Sequence, residues 1–245
     1  VDDVLTAFGR HTARRWQAGA GEGERKVTVH YSRDLDAQSW QQRYDAGEVP
    51  DRWPYGLHHL SEGANGVQVS PASARNSLAI RGVRKLAGGY DWHRMTSPGD
   101  TAVCWDERAG VPVALSGVPT LTGVIWLTER STRHWTDRWA RRALGRSTVF
   151  VLSPLQLPEL RDHWGVSADR SHFLPFGVDK DFWRPAQGAM DGVLVVGNDR
   201  DRDHDTAIQA ATGTGHRLTV VTKQQVPAPR VSYLSHPELV QSYAD

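Results

Sequence analysis

Short apolar runs recur along the chain, separated by stretches with the spacing of amphipathic helices. Lys26-Val-Thr-Val-His-Tyr31 alternates and is rich in β-branched residues, so it reads as the first strand. Further strands are expected at Gly66–Ser70, Thr101–Trp105, Pro112–Leu115, Gly123–Leu127 and Thr148–Leu152. A second series follows at His172–Pro175, Gly192–Val196, Arg217–Thr222 and Val231–Leu234. Helices are expected over 2–18, 72–86, 131–144, from Pro154 to Gly165, over 205–211 and over 237–244. Ser153 followed by Pro154 gives a helix start with a capping hydroxyl and proline in the first turn. The segment between Tyr31 and Gly56 is polar and closes in Pro50-Asp-Arg-Trp-Pro-Tyr-Gly56, which reads as a long loop.

Strands that are apolar throughout, alternating with helices, belong to a parallel sheet covered on both faces. The expected fold is therefore α/β and doubly wound. A linker-like Phe182-Trp-Arg-Pro185 divides it into a first domain over 1–184 and a second over 185–245.

Composition narrows the function classes. With 39% hydrophobic and 23% charged residues, the chain has the make-up of an ordinary globular protein. A net charge of +1 supplies no overall field for nucleic acid, so no nucleic-acid partner is expected. Cys104 is the single cysteine, which excludes an internal disulfide and a multi-cysteine zinc site, and fits a cytoplasmic setting. No run reaches the roughly 20 apolar residues that a spanning helix requires, so no integral membrane segment is expected. Ten tryptophans are many for this length, and several stand in polar segments. They suit packing beneath long loops or stacking against the apolar face of a sugar.

The most informative stretch is 149–211. Val149-Phe-Val-Leu-Ser153 ends a strand, and after a helix His172-Phe-Leu-Pro-Phe-Gly-Val-Asp179 leads into Phe182-Trp-Arg-Pro185. Gly192-Val-Leu-Val-Val-Gly197 and the charged turn Asn198-Asp-Arg-Asp-Arg-Asp-His204 come next. This order resembles the interdomain crossing of the retaining, nucleotide-sugar-dependent glycosyltransferases of GT-B fold. The resemblance covers about residues 100–245 and is loose before that. It implies two Rossmann-type domains, the first facing the acceptor and the second holding a nucleotide-diphosphate sugar as donor substrate. No separate cofactor and no metal are expected.

Site residues follow partly from chemistry and partly from the resemblance. Gly197, at a strand end, permits close backbone approach, and the helix after it should present N–H groups to a diphosphate. In the family an Arg and a Lys of this turn meet the donor phosphates. Here Asn198 stands at the place of the Arg, with Arg202 and then Arg200 as candidates for the cation. Gly177 in the crossing and Lys223 after a later strand join the donor set. The resemblance also implies a His at a strand end of the first domain, facing the donor sugar; no His ends the 123–127 strand here, where Thr128-Glu129-Arg130 stands instead. Glu129, after Gly123–Leu127, is the first catalytic candidate, and Asp106, after Trp105, the second. Tyr55, His58 and His59 are candidates for the acceptor side.

The family's pair of sugar-gripping glutamates has no counterpart before Asp245, which implies a second domain that is C-terminally incomplete. That departure keeps a second reading open: a non-catalytic, GT-B-derived protein that binds a partner or serves as a scaffold. A dinucleotide-dependent enzyme is disfavoured, because no G-x-G-x-x-G follows any expected strand.

Overall fold

A computed structural model describes residues 26–32, 35–63, 66–70, 88–92, 101–129, 134–183, 192–198, 202–227 and 230–231. The helices expected over 2–18, 72–86 and 237–244 lie outside these residues. The chain forms two compact units, one of Val1–Trp40 with Trp53–Gly177, the other of Gln41–Arg52 with Val178–Asp245.

The first unit is built on a six-stranded sheet: β1 (Val27–His30), β2 (Val67–Val69), β3 (Thr101–Cys104), β4 (Thr120–Gly123), β5 (Thr148–Val151) and β6 (Ser171–Phe173). Every pairing is parallel, and the order across the sheet is β2-β1-β3-β4-β5-β6. Successive residues of one strand enter different cores, as a sheet buried on both faces requires. Val149 and Val151 join Val111, Leu144 and Leu160 in one cluster, while Phe150 between them joins Val29, Tyr31, Val103 and Trp105 in another.

Two helices that pack on this sheet show how local chemistry sets their limits. Asp106 caps α3 (Glu107–Leu115), and α4 (Asp137–Leu144) turns Ala140, Ala143 and Leu144 inward. The strand expected at Pro112–Leu115 is thus the second half of α3. Its apolar run is buried on a helix rather than in the sheet, because the Asp106 carboxylate starts a helix five residues earlier and α3 runs on through Pro112.

The strand expected at Gly123–Leu127 is displaced as well: β4 is Thr120–Gly123, and the apolar residues after it turn away. Val124 N–H still reaches Phe150 O at 2.8 Å, but the next two N–H groups leave the sheet for a side-chain carboxylate. A third correction concerns the expected loop before Gly56, which contains α1 (Ala37–Asp45). Asp36 accepts from Gln38 N at 3.1 Å and from Ser39 N at 3.3 Å, capping the helix. No residue of α1 is buried, so it shows no apolar period.

After β5, Ser153 Oγ accepts from Leu155 N and Ser153 N donates to Gln156 Oε1, a reciprocal cap for α5 (Gln156–Asp162). The short helix Leu60–Gly63 is α2.

The second unit holds a three-stranded parallel sheet in the order β7 (Val193–Val196), β8 (Leu218–Val221), β9 (Arg230–Val231). Helix α6 (His204–Thr214) is capped by Asp203 and stops at Gly215, whose φ of 72° is left-handed. Ala211, Leu218 and Val220 form its core with Val195 and Ile208.

Candidate active site

In the first unit the strand order reverses at β1, which has β2 on one side and β3 on the other. Open parallel sheets bind ligands in the crevice outside the carboxyl ends of their strands at such a point. Ser32 follows β1 and Asp106 follows β3, and their side chains meet there: Ser32 Oγ donates to Asp106 Oδ2 at 2.5 Å. Asp106 Oδ1 accepts from Arg108 N at 3.0 Å and from Ala109 N at 3.3 Å. Asp106, a catalytic candidate from the sequence, is therefore a helix cap with both oxygens engaged.

Aromatic rings border this point. The Trp105 ring stacks on Tyr55 with centroids 4.0 Å apart and planes within 5°; it also meets Phe150 in a tilted contact at 5.8 Å and Phe176 edge-on at 6.2 Å. Tyr55 lies in the turn Pro54–His59 with φ 61° and ψ 23°, a left-handed conformation that a non-glycine residue adopts at a cost. The Tyr31 hydroxyl holds this turn by donating to Pro54 O at 3.0 Å. Burial raises the Tyr55 phenol pKa; the Asp106 charge raises it further, and Arg108 acts in the opposite direction. Tyr55 still exposes 43% of its surface, so the stacked pair presents one ring to solvent. His58 and His59 sit in the same turn with rings 4.0 Å apart, and His59 Nδ1 lies 2.9 Å from Glu62 Oε1.

Glu107, beside Asp106, is not among the residues that the sequence singles out. Its buried carboxylate accepts from Ile125 N at 2.9 Å and Trp126 N at 3.2 Å, joining α3 to the end of β4. Burial pushes its pKa up, and the adjacent Asp106 adds to the shift. The acidic pair directly after a buried strand was the available signal. Gln156 Nε2 donates to Ile125 O at 3.3 Å and to Thr128 Oγ1 at 2.7 Å, extending the link to α5. Arg108 lays its guanidinium over the Trp126 ring, 4.6 Å from the centroid. Glu129, the other catalytic candidate, is exposed on the turn Leu127–Glu129 that follows this clasp.

In the second unit the donor candidates gather at the carboxyl ends of β7 and β8. Gly197 N–H donates to Val221 O at 3.0 Å, and Asn198 Oδ1 accepts from Lys223 N at 2.6 Å. The Arg202 side chain lies directly against Gly197, where any Cβ would strike its Nε, Cδ and Cζ. Gly197, Asn198, Arg202 and Lys223 are thereby brought together. The helix N–H groups are less free than expected, since Asp203 takes Thr206 N at 3.0 Å and Arg202 O accepts from His204 N at 3.0 Å. The side chains of Arg202 and Lys223 are exposed, so the cationic part of the turn faces solvent. Arg200 lies outside the described residues. Gly177 is in the extended segment after β6, in the first unit. Asp179 accepts from Asp181 N at 2.8 Å and Phe182 N at 3.1 Å, which orders the turn that begins the second unit.

The sequence matches no family model, and no curated protein matches it. Among solved structures it is similar to the sucrose-phosphate synthase of Thermosynechococcus elongatus, with a TM-score of 0.57 over 90% of this chain and 74% of that one, at 12% identity. The chain has the GT-B fold. It contains a six-stranded parallel sheet flanked by helices. At that identity the likeness speaks for architecture. Among the described residues, no helix is long and apolar enough to cross a membrane.

Proposed function

We propose that the chain transfers a sugar from a nucleotide-diphosphate sugar to a hydroxyl acceptor, with retention at the anomeric carbon. The observation that carries this reading is the cluster at the ends of β7 and β8. There Arg202 is laid over a glycine and Lys223 is drawn in through Asn198. Two exposed cations beside a strand end suit a diphosphate, with the guanidinium able to bond two phosphate oxygens at once. Because the start of α6 is already capped, the side chains carry the phosphate contact rather than the helix N–H groups.

The acceptor belongs at the switch point of the first unit. The Tyr55–Trp105 stack, held beside the buried Ser32–Asp106 pair, offers an aromatic face of the kind that suits the apolar face of a sugar ring. In the reaction the bond from the anomeric carbon to the diphosphate breaks and a bond to the acceptor oxygen forms. The acceptor proton passes to the departing phosphate, and Arg202 and Lys223 stabilise the charge that builds there. No protein nucleophile is required. Asp106, held by three hydrogen bonds, orients groups at the acceptor side, and Tyr55 shapes the face on which the ring lies.

The test is to incubate the chain with UDP-, GDP- and ADP-sugars and a panel of sugar acceptors, measuring nucleoside diphosphate released and product formed. Transfer that falls by about tenfold or more in Arg202→Ala supports the reading, the size expected from losing a charge-assisted phosphate contact. If no donor is consumed and none binds, the chain is instead a GT-B-derived binding protein.

A further inference from the structure

Helix α4 carries a surface that the sugar-transfer reading does not use. Its inward face is Ala140, Ala143 and Leu144. Arg138, Trp139 and Arg142 lie on its exposed side, and exposed Trp135, in the turn just before the helix, continues that stripe. Trp135 exposes 62% of its surface and Trp139 38%, where a helix of a globular protein ordinarily turns small polar groups to water. Arg138 lies over the Trp139 ring, 5.1 Å from its centroid. Arg141 and Arg146 extend the charge on either flank, and both are exposed. The one acidic residue of the helix, Asp137, is buried and bonded to His134 N at 2.7 Å, so it does not offset these cations at the surface.

We propose that this stripe docks the protein on an anionic membrane surface. The chemistry argues for lipid headgroups in particular. Indole rings have an apolar body and a polar N–H, and they settle at the boundary between headgroups and acyl chains. Arginines beside them reach phosphates while their stems lie along apolar surface. An exposed helix side with one indole on it and a second, more exposed one in the turn before it inserts shallowly into a soft interface. The local excess of arginine attracts anionic lipid although the chain as a whole carries only +1. Electrostatic attraction and shallow apolar insertion together supply the two signals that reversible anchoring needs.

The test is sedimentation of the full chain with lipid vesicles, of phosphatidylcholine alone and of phosphatidylcholine containing about one third phosphatidylglycerol. The protein should bind the anionic vesicles and not the neutral ones, and raising salt from about 0.1 M to about 1 M should release it. Replacing two arginines, as Arg138→Gln with Arg142→Gln, should weaken binding by about 30-fold, since each basic residue near such a surface contributes about fivefold. Trp135→Ala with Trp139→Ala should weaken it too, and should abolish the blue shift of tryptophan emission seen on vesicle addition. All four side chains are exposed, so thermal unfolding should stay near the parent and separate lost docking from lost folding. Absence of binding to anionic vesicles, or binding indifferent to both pairs of changes, would overturn the proposal. So would single-stranded RNA that displaces the vesicles at matched charge, which would assign the stripe to nucleic acid.

Discussion

The hydroxyl of Ser32 donates to Asp106 Oδ2, tying the end of β1 to the end of β3 where the strand order reverses. The same carboxylate caps α3 through Arg108 N and Ala109 N. One side chain therefore fixes both the start of a helix and the spacing of the two strands at the point where the strand order reverses.

Asp106→Ala should destabilise the first unit by about 1–3 kcal/mol, because it removes a helix cap and leaves buried N–H donors unmet. Asp106→Asn keeps an acceptor for those donors and should recover part of the loss. Ser32→Ala should cost about 1 kcal/mol, the worth of a single hydrogen bond. Urea unfolding of the four proteins measures the series, and equal stability in all of them would contradict the capping role.

Glu107 makes a prediction about pH. Burial raises its pKa in the folded protein above the value in the unfolded chain, with Asp106 adding to the shift. Across the window between those two values the folded state holds more protons than the unfolded one, so stability falls as pH rises through it. Glu107→Gln removes this titration. Unfolding free energies taken from mildly acidic to neutral pH should therefore shift in favour of the variant relative to the parent as pH rises. A difference that stays constant, or moves the other way, would rule out the raised pKa.

The Tyr55 phenol should ionise late. Burial against Trp105 and the charge of Asp106 both hold its proton, with Arg108 only partly opposing them. In an ultraviolet titration, Tyr55→Phe should delete a component on the alkaline side of the ordinary tyrosine range. Asp106→Asn should bring that component to lower pH. Loss of an ordinary tyrosine signal instead would place Tyr55 in water.

Gly197→Ala should leave the second unit folded but impair donor binding. The atoms nearest to the added Cβ are the far end of the Arg202 side chain, which can swing away. Stability should change by less than about 1 kcal/mol, whereas affinity for a nucleotide-diphosphate sugar should fall by about tenfold as the guanidinium leaves its place.

Much of this architecture was readable along the chain. Val27–His30 and Thr101–Cys104 are buried along their whole length and Thr148–Val151 nearly so, as strands of a sheet covered on both faces, whereas Val193–Val196 is wholly apolar but only half-buried. The reading failed where a side chain overrode an apolar run. Asp106 turns Pro112–Leu115 into helix, and Glu107 draws the backbone of Ile125 and Trp126 out of the sheet. Neither effect follows from periodicity, since each depends on one carboxylate reaching backbone N–H groups. The exposed helix α1 escaped for a different reason: with no buried face it has no pattern to show. Of the site, Gly197, Asn198 and Arg202 were singled out in one turn with the help of the family resemblance and Lys223 after a later strand, while the Tyr55–Trp105 stack needed the fold to bring the two rings together.

Calorimetric titration of the chain with a panel of nucleotide-diphosphate sugars tests the central claim most directly. The account predicts saturable binding of at least one donor that weakens by about tenfold in Arg202→Ala and again in Arg202→Ala with Lys223→Ala, with folding unchanged. Donor binding that is indifferent to both substitutions would contradict it.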